Sequence, residues 1–142
     1  MEGWEVRITG INLAAFPKAQ TRDEQTLVLP YPPSNNSYYR HVGAKVLISA
    51  KGRAYRKAVA QAIALNNGKA MAPGRYGVEL TVHREDRRRC DLDNLCKGLF
   101  DSLTEAGVWE DDSLVDDLRI IRGGVKKPGE CVVHIWRIGG VE

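Results

Sequence analysis

Apolar side chains recur with two different periods along this chain, and the switches between them mark out its elements. From Tyr76 to Arg84, Val78, Leu80 and Val82 alternate with Glu79, Thr81 and His83, the period-two pattern of a half-buried strand. The period then lengthens. Leu92, Leu95, Cys96, Leu99, Phe100 and Leu103 fall on one helical stripe, the cleanest in the chain. That helix is expected to open at Asp91 and to end near Ala106, where Gly107 follows. A second amphipathic helix is expected from Ser49 to Asn66. Tyr55, Ala58, Val59, Ala62 and Ile63 repeat at helical spacing, Ser49 is an N-cap residue type, and Asn66-Asn67-Gly68 stops the run. Lys51, Arg53, Arg56 and Lys57 would sit away from its apolar stripe.

Shorter apolar runs predict strands at Thr26 to Leu29, from Tyr38, at Lys45 to Ile48, at Leu118 to Arg122 and at Cys131 to Ile138. The last two are read as joined by a turn around Gly123, Gly124, Pro128 and Gly129. The segment Pro30-Tyr31-Pro32-Pro33-Ser34-Asn35-Asn36 is read as non-helical. Residues 1–25 differ from the rest. Trp4, Val6 and Ile8 alternate with Glu5, Arg7 and Thr9, and the stretch from Pro17 to Gln25 turns polar, so this extension is read as an arm or an extra edge strand. Residues 26–142 then form the main domain. Mixed strands with two main helices make the fold class α+β, a small mixed β-sheet in one compact domain. The 142 residues are a single-domain length.

Composition narrows the functional classes. Hydrophobic residues are 43% and charged residues 27%, ordinary globular values that exclude disorder over most of the length. No apolar run is long enough for a membrane span, and Glu2 and Glu5 replace the apolar core of a signal peptide. Cys90, Cys96 and Cys131 are odd in number and lack metal-site spacing. A cytoplasmic protein with reduced thiols is expected. The net charge of +3 hides a strong asymmetry. From Arg40 to Lys97, 13 Lys/Arg stand against 5 Asp/Glu; from Asp101 to Asp117 there are 7 Asp/Glu and no cation. A basic block beside an acidic one suggests a polyanionic partner and a cation-holding site. An unevenly charged surface accounts for it equally well.

The candidate chemistry lies in Arg87-Arg88-Arg89-Cys90-Asp91-Leu92-Asp93-Asn94-Leu95-Cys96-Lys97. Three arginines run into two carboxylates at a strand-to-helix junction. If the chain is still extended there, Asp91 and Asp93 point the same way. Hard cations take oxygen ligands and keep several waters, so a few carboxylates suffice. Lys97 lies four residues after Asp93, one helical turn on, and offers a compact positive charge to a phosphate. The plainer reading is that the acids cap the helix, that Lys97 pairs with Asp93, and that the arginines form a solvated turn. A second acidic group, Glu110-Asp111-Asp112, follows Trp109. A helix of about 14 residues spans about 21 Å, so the chain must return to bring Asp112 near Asp93, and a strand from Leu114 to Arg122 could provide that return. Asp116 and Asp117 are expected to face solvent or pair with arginines. His41, His83 and His134 are isolated and read as surface or packed residues.

These pieces together resemble the RusA family of Holliday junction resolvases. The resemblance rests on Pro32-Pro33-Ser34-Asn35-Asn36, Tyr38-Tyr39-Arg40-His41, Asp86-Arg87-Arg88-Arg89 and Asp91-Leu92-Asp93-Asn94-Leu95 with Lys97. It continues through Asp101, Leu103, Ala106-Gly107, Trp109 and Asp111-Asp112, and it covers roughly Thr26 to Ile138 in order. It implies that residues 26–142 are a RusA-like endonuclease domain working as a homodimer on branched DNA. The activity implied is Mg²⁺-dependent cleavage of four-way junctions by paired symmetric nicks, with Mn²⁺ able to substitute. Metal-binding acids map to Asp91, Asp93 and Asp112, the catalytic lysine to Lys97, and DNA contacts to Ser34, Asn35, Asn36, Ser37, Arg87, Arg88 and Arg89. Cys90 and Ser37 stand where the family pattern has a basic residue, and residues 1–25 have no counterpart in it. Genes of this family are frequent in phages and prophages. The alternatives are a non-catalytic branched-DNA-binding module, a hydrolase of small phosphate esters and a structural phage protein. The basic segment argues against the second, and only size favours the third.

Overall fold

The computed structural model describes residues 21–139, so the alternation at Trp4, Val6 and Ile8 lies outside the described residues. Four strands form the main sheet: β1 (Glu24–Pro30), β4 (Arg75–His83), β5 (Val115–Arg122) and β6 (Glu130–Gly139). Their order is β1-β6-β4-β5. The pairs β1–β6 and β6–β4 are antiparallel and β4–β5 is parallel. β5 and β6, consecutive in the chain, thus both pair with β4 and not with each other. The chain leaving β5 passes β4 before it pairs again, and β6 takes the place between β4 and β1, with Cys131, Val133 and Ile135 completely buried.

Register carries the core. Leu27 pairs with Val133, Val133 with Leu80, and Leu80 with Ile120, which puts one apolar row across the sheet. This face is covered by α2 (Ala50–Leu65) and α3 (Cys96–Glu105). Tyr55, Val59 and Ile63 of the first and Leu99, Phe100 and Leu103 of the second join one buried cluster with the strands. Ser49 caps α2 as expected, accepting from Gly52 N at 3.0 Å. Asn67 at φ 54° stops it.

Between β1 and α2 the structure departs from expectation. A short helix, α1 (Asn35–Tyr38), follows the prolines directly. Proline restricts its own φ and the residue before it, not those after it. Ser34 can therefore cap the turn, accepting from Ser37 N at 3.3 Å. Tyr38 ends this helix instead of opening a strand, and a hairpin follows as β2 (Tyr39–Val42) and β3 (Lys45–Ile48). Its two-residue loop uses Gly43 at φ 61°, a conformation suited to glycine in a tight hairpin.

Tyr38 fastens this region to the helices. It is fully buried. Its hydroxyl accepts from Arg56 Nε at 2.7 Å and shares a 3.1 Å hydrogen bond with Ser102 Oγ. Gly52 of α2 and Gly98 of α3 make room for it. A Cβ on Gly98 would lie 2.6 Å from Tyr38 Cδ2, and one on Gly52 2.3 Å from the Tyr38 carbonyl oxygen.

The crossover from β4 to β5 carries the charged loop, a 3-10 turn (Leu92–Leu95), α3 and a second 3-10 turn (Asp112–Leu114). The stripe from Leu92 to Leu103 is thus not one α-helix from Asp91. It breaks at Leu95, whose φ is −112°. The Asp91 side chain makes no capping hydrogen bond, so nothing stabilises an α-helical start there. At the far end, Gly107 at φ 82° reverses the chain, with Val108 N donating to Leu103 O and Gly107 N to Thr104 O. Trp109 then locks the return. It is fully buried, stacks on Tyr76, meets Phe100 edge-on and donates from Nε1 to Thr104 Oγ1 at 2.8 Å.

Candidate active site

Asp91, Asp93 and Asp112 all belong to the β4–β5 crossover, but they occupy different parts of it. Asp91 is exposed, with extended backbone at φ −93° and ψ 126°. Asp93 is exposed inside the first 3-10 turn. The chain has stopped being extended by then, so the alternation that would align the two carboxylates does not apply. Asp112 opens the second 3-10 turn and is half-buried. Asp111 caps that turn, accepting from Ser113 N at 3.3 Å and from the Ser113 hydroxyl. Among the described residues no three His, Cys, Asp or Glu side chains are gathered closely enough to enclose a metal ion.

Lys97 turns away from the partner its spacing suggested. Its ammonium lies 3.8 Å from Asp101, one turn further along α3, and 5.8 Å from the centre of the Tyr39 ring. The Tyr39 hydroxyl donates to the same Asp101 oxygen. Asp101 is the centre of this group, and residue spacing alone gave it no role. Burial, then the charges of Asp112 and Asp111, push its carboxyl up to about 6. The Lys97 contact is long and comes from an exposed side chain, so it leaves that rise standing. The reversal at Gly107, ahead of β5, brings Asp112 into the electrostatic reach of mid-α3. Asp93 acts on Cys96 instead, whose thiol is raised by burial and then by the Asp93 charge.

Beside the acids lies an open cavity of about 360 Å³, lined by Tyr31, Ser34, Arg89, Cys90, Asp91, Asn94 and Leu95. Ser34 and Asp91 thus share a wall although they are 57 positions apart in sequence. Asn35 is half-buried, with its Oδ1 buried and unpartnered, and Asn36 is exposed. Ser37 is held by Ser34, 3.2 Å between the hydroxyls.

A second cavity of similar volume adjoins it, lined by Tyr31, Arg84, Glu85, Asp86, Arg88, Arg89 and Cys90. The three arginines are not equivalent. Arg88 is tied to Asp86 at 2.8 Å, and that guanidinium holds the Asp86 carboxyl below its usual range. Arg87 and Arg89 are exposed and have no side-chain partner among the described residues.

A further cation arrives from the sheet. Arg122, at the end of β5, shares a row with Val82, Cys131 and Leu29. It donates from Nη2 to the Cys90 carbonyl at 2.9 Å, with Nη1 3.4 Å from the thiol. It brings positive charge to the one position in the arginine run that lacks it. Only strand order puts it there, so spacing could not reveal it. Two cations of the basic face expected of α2 are engaged within the chain. Arg56 reaches the Tyr38 hydroxyl and Glu105, and Arg53 donates to Ile48 O at 2.9 Å. Asp116 pairs with Arg75 at 2.6 Å, as anticipated. His83 contacts Gly124 O and His134 contacts Glu24, which leaves both outside the acidic group.

A small α+β domain with a lysine among carboxylates and a rim of arginines has the equipment of a nuclease, and sequence comparison agrees. The family model described as Endodeoxyribonuclease RusA matches residues 30–135. The crossover junction endodeoxyribonuclease RusA of Escherichia coli K12 is 46% identical over 117 residues, which cover 80% of this chain and 95% of that protein. The crossover junction endodeoxyribonuclease of Enterobacteria phage 82 is 47% identical over 116 residues, covering 80% and 94%. The chain belongs to the RusA family of endodeoxyribonucleases. No helix among the described residues is long and apolar enough to cross a membrane.

The residues fit a hard divalent cation by their chemistry. The donors are carboxylate oxygens, and Asp112 and Asp111 stand near enough to Asp101 for their charges to add to the burial that raises its carboxyl.

Proposed function

We propose that this chain resolves four-way DNA junctions by paired symmetric nicks, in a homodimer that uses Mg²⁺ or Mn²⁺. The observation that carries this reading is the cavity in which Ser34, Asp91 and Arg89 share one wall with Cys90, whose carbonyl holds Arg122. The names of the E. coli and phage relatives support the same substrate. A two-fold dimer would match a junction that presents two equivalent strands.

Asp91, Asp93 and Asp112 would hold the cation. When bound, it supplies charge neutralisation at the scissile phosphate and acidifies water for attack. Lys97 adds a preorganised positive charge to the phosphate as its negative charge grows, a contribution of the kind worth about 10²–10³ in rate. Arg87, Arg88 and Arg89 contact phosphates and set register with little sequence information. Ser34, Asn35, Asn36 and Ser37 form the loop that meets DNA beside the acids, with the buried Asn35 Oδ1 an acceptor awaiting a donor.

The test incubates a labelled mobile four-way junction with protein and Mg²⁺, beside Asp93→Asn, and resolves products on native and denaturing gels. Symmetric nicked duplexes from the wild type alone are expected. Tight junction binding with no cleavage in either Mg²⁺ or Mn²⁺ would make the protein a binding module. Normal cleavage by Asp93→Asn would remove that residue from the site.

A further inference from the structure

We propose that Asp101, held by the Tyr39 hydroxyl, is a positioning residue for Lys97 and fixes its ammonium at the edge of the acidic centre. The inference rests on the role given to Lys97 above and identifies what aims that side chain. Lys97 is 64% exposed, and a lysine on a flexible four-carbon stem does not hold one direction unaided. Two contacts restrain it: the Asp101 carboxylate one turn along the helix and the face of the Tyr39 ring. Tyr39 in turn restrains Asp101, because its hydroxyl donates to the oxygen that faces Lys97.

The anchor behind Tyr39 is rigid. Its neighbour Tyr38 is buried between two glycines whose close approach leaves no slack, and the two tyrosine rings lie 4.7 Å apart. Tertiary packing thus fixes Tyr39, Tyr39 fixes Asp101, and Asp101 fixes Lys97. A purely structural role for Asp101 does not account for the charge. The residue sits within α3, away from either end where a carboxylate would cap or oppose the dipole. Its side chain is only 24% exposed, so an uncharged amide would cost less to bury there. A surface pair of this length also adds little stability. A partner for the lysine is the remaining use for a carboxylate here.

Two readouts on the full chain test this. The first does not depend on cleavage. Limiting amine acetylation is followed by mass spectrometry in wild type, Asp101→Asn and Tyr39→Phe. Lys97 labelling is expected to rise about 3-fold in both variants, as for loss of a surface pair, while Lys57 and Lys126 stay unchanged. Unchanged Lys97 labelling overturns the proposal. If the wild type fails to cleave junctions, the function proposed above fails, and this arm still judges the contact.

The second is single-turnover cleavage in a double-mutant cycle. Asp101→Asn should slow cleavage about 10–100-fold, a fraction of what a lost transition-state donor costs. Junction affinity should stay within about 2-fold, and Asp101→Glu should restore most of the rate. With Lys97→Ala as background, Asp101→Asn should cost less than about 2-fold, because the two act as one unit. Equal slowing in both backgrounds, or a loss of Mg²⁺ affinity in Asp101→Asn, would make Asp101 an independent ligand and overturn the proposal.

Discussion

Arg122 reaches from the end of β5 to the Cys90 carbonyl, 2.9 Å from Nη2, and rests its other terminal nitrogen 3.4 Å from the Cys90 thiol. The two residues are 32 apart in sequence. They meet because β5 lies parallel to β4, with Arg122 opposite Val82. The cation that the run Arg87-Arg88-Arg89 lacks at its fourth position is thereby supplied by the sheet. Arg122→Ala should weaken junction binding and lower the slope of log K against log salt by about 1, the value for one lost phosphate contact. Arg89→Ala should do the same, and Arg88→Ala less, because Asp86 already occupies that guanidinium. Binding isotherms at several salt concentrations check this; an unchanged slope for Arg122→Ala would place it off the DNA path.

The contact between Tyr38 and Gly98 makes a prediction about stability. A Cβ at Gly98 would sit 2.6 Å from the ring of a tyrosine that has no room to retreat. Gly98→Ala should destabilise the fold by about 1–3 kcal/mol through overpacking, although alanine is the better helix former. Denaturant melts of the two proteins measure it. A more stable variant would mean that α1 moves freely, and with it Tyr39.

The Asp101 carboxyl gives a signed pH dependence. Its folded value is raised from 3.8 to about 6, by burial first and then by Asp112 and Asp111. A raised carboxyl stabilises the fold when protonated. That contribution is complete below pH of about 4 and is lost as pH rises through about 6. At pH 8 the wild type therefore carries an unfavourable charge. Asp101→Asn should be the more stable protein there, by about 1 kcal/mol once solvent screening of a half-exposed group is allowed for. The gain should shrink toward zero near pH 4. Thermal melts across this range decide it, and a variant less stable at pH 8 would show that Lys97 and Tyr39 outweigh the repulsion.

Cation binding should appear as stability before any DNA is added. A ligand at about ten times its Kd adds about 1.4 kcal/mol to a fold that holds it. Mg²⁺ should raise the melting temperature of the wild type and should do less for Asp93→Asn and Asp112→Asn. Equal shifts in all three would put the cation elsewhere.

Much of this architecture is written locally. The alternation of Val78, Leu80 and Val82 and the stripe of Leu95, Leu99 and Leu103 state which faces are buried. Ser49 marks a helix start by its side-chain cap and Gly107 a helix end by its left-handed backbone. The run from Arg87 to Lys97 announces its chemistry because charged residues concentrate there without a core to serve. Local pattern ended at the partners. It could not tell that β5 joins β4 and not β6, since an apolar strand face fits any neighbour until the order of the sheet is set. It could not tell that Lys97 meets Asp101 and not Asp93, because a break at Leu95 rotates one acid away and the hairpin brings Tyr39 to the other. Composition and periodicity fix what each segment buries. Which charged side chains then face one another depends on register, sheet order and the reversal at Gly107, and those exist only in the folded chain.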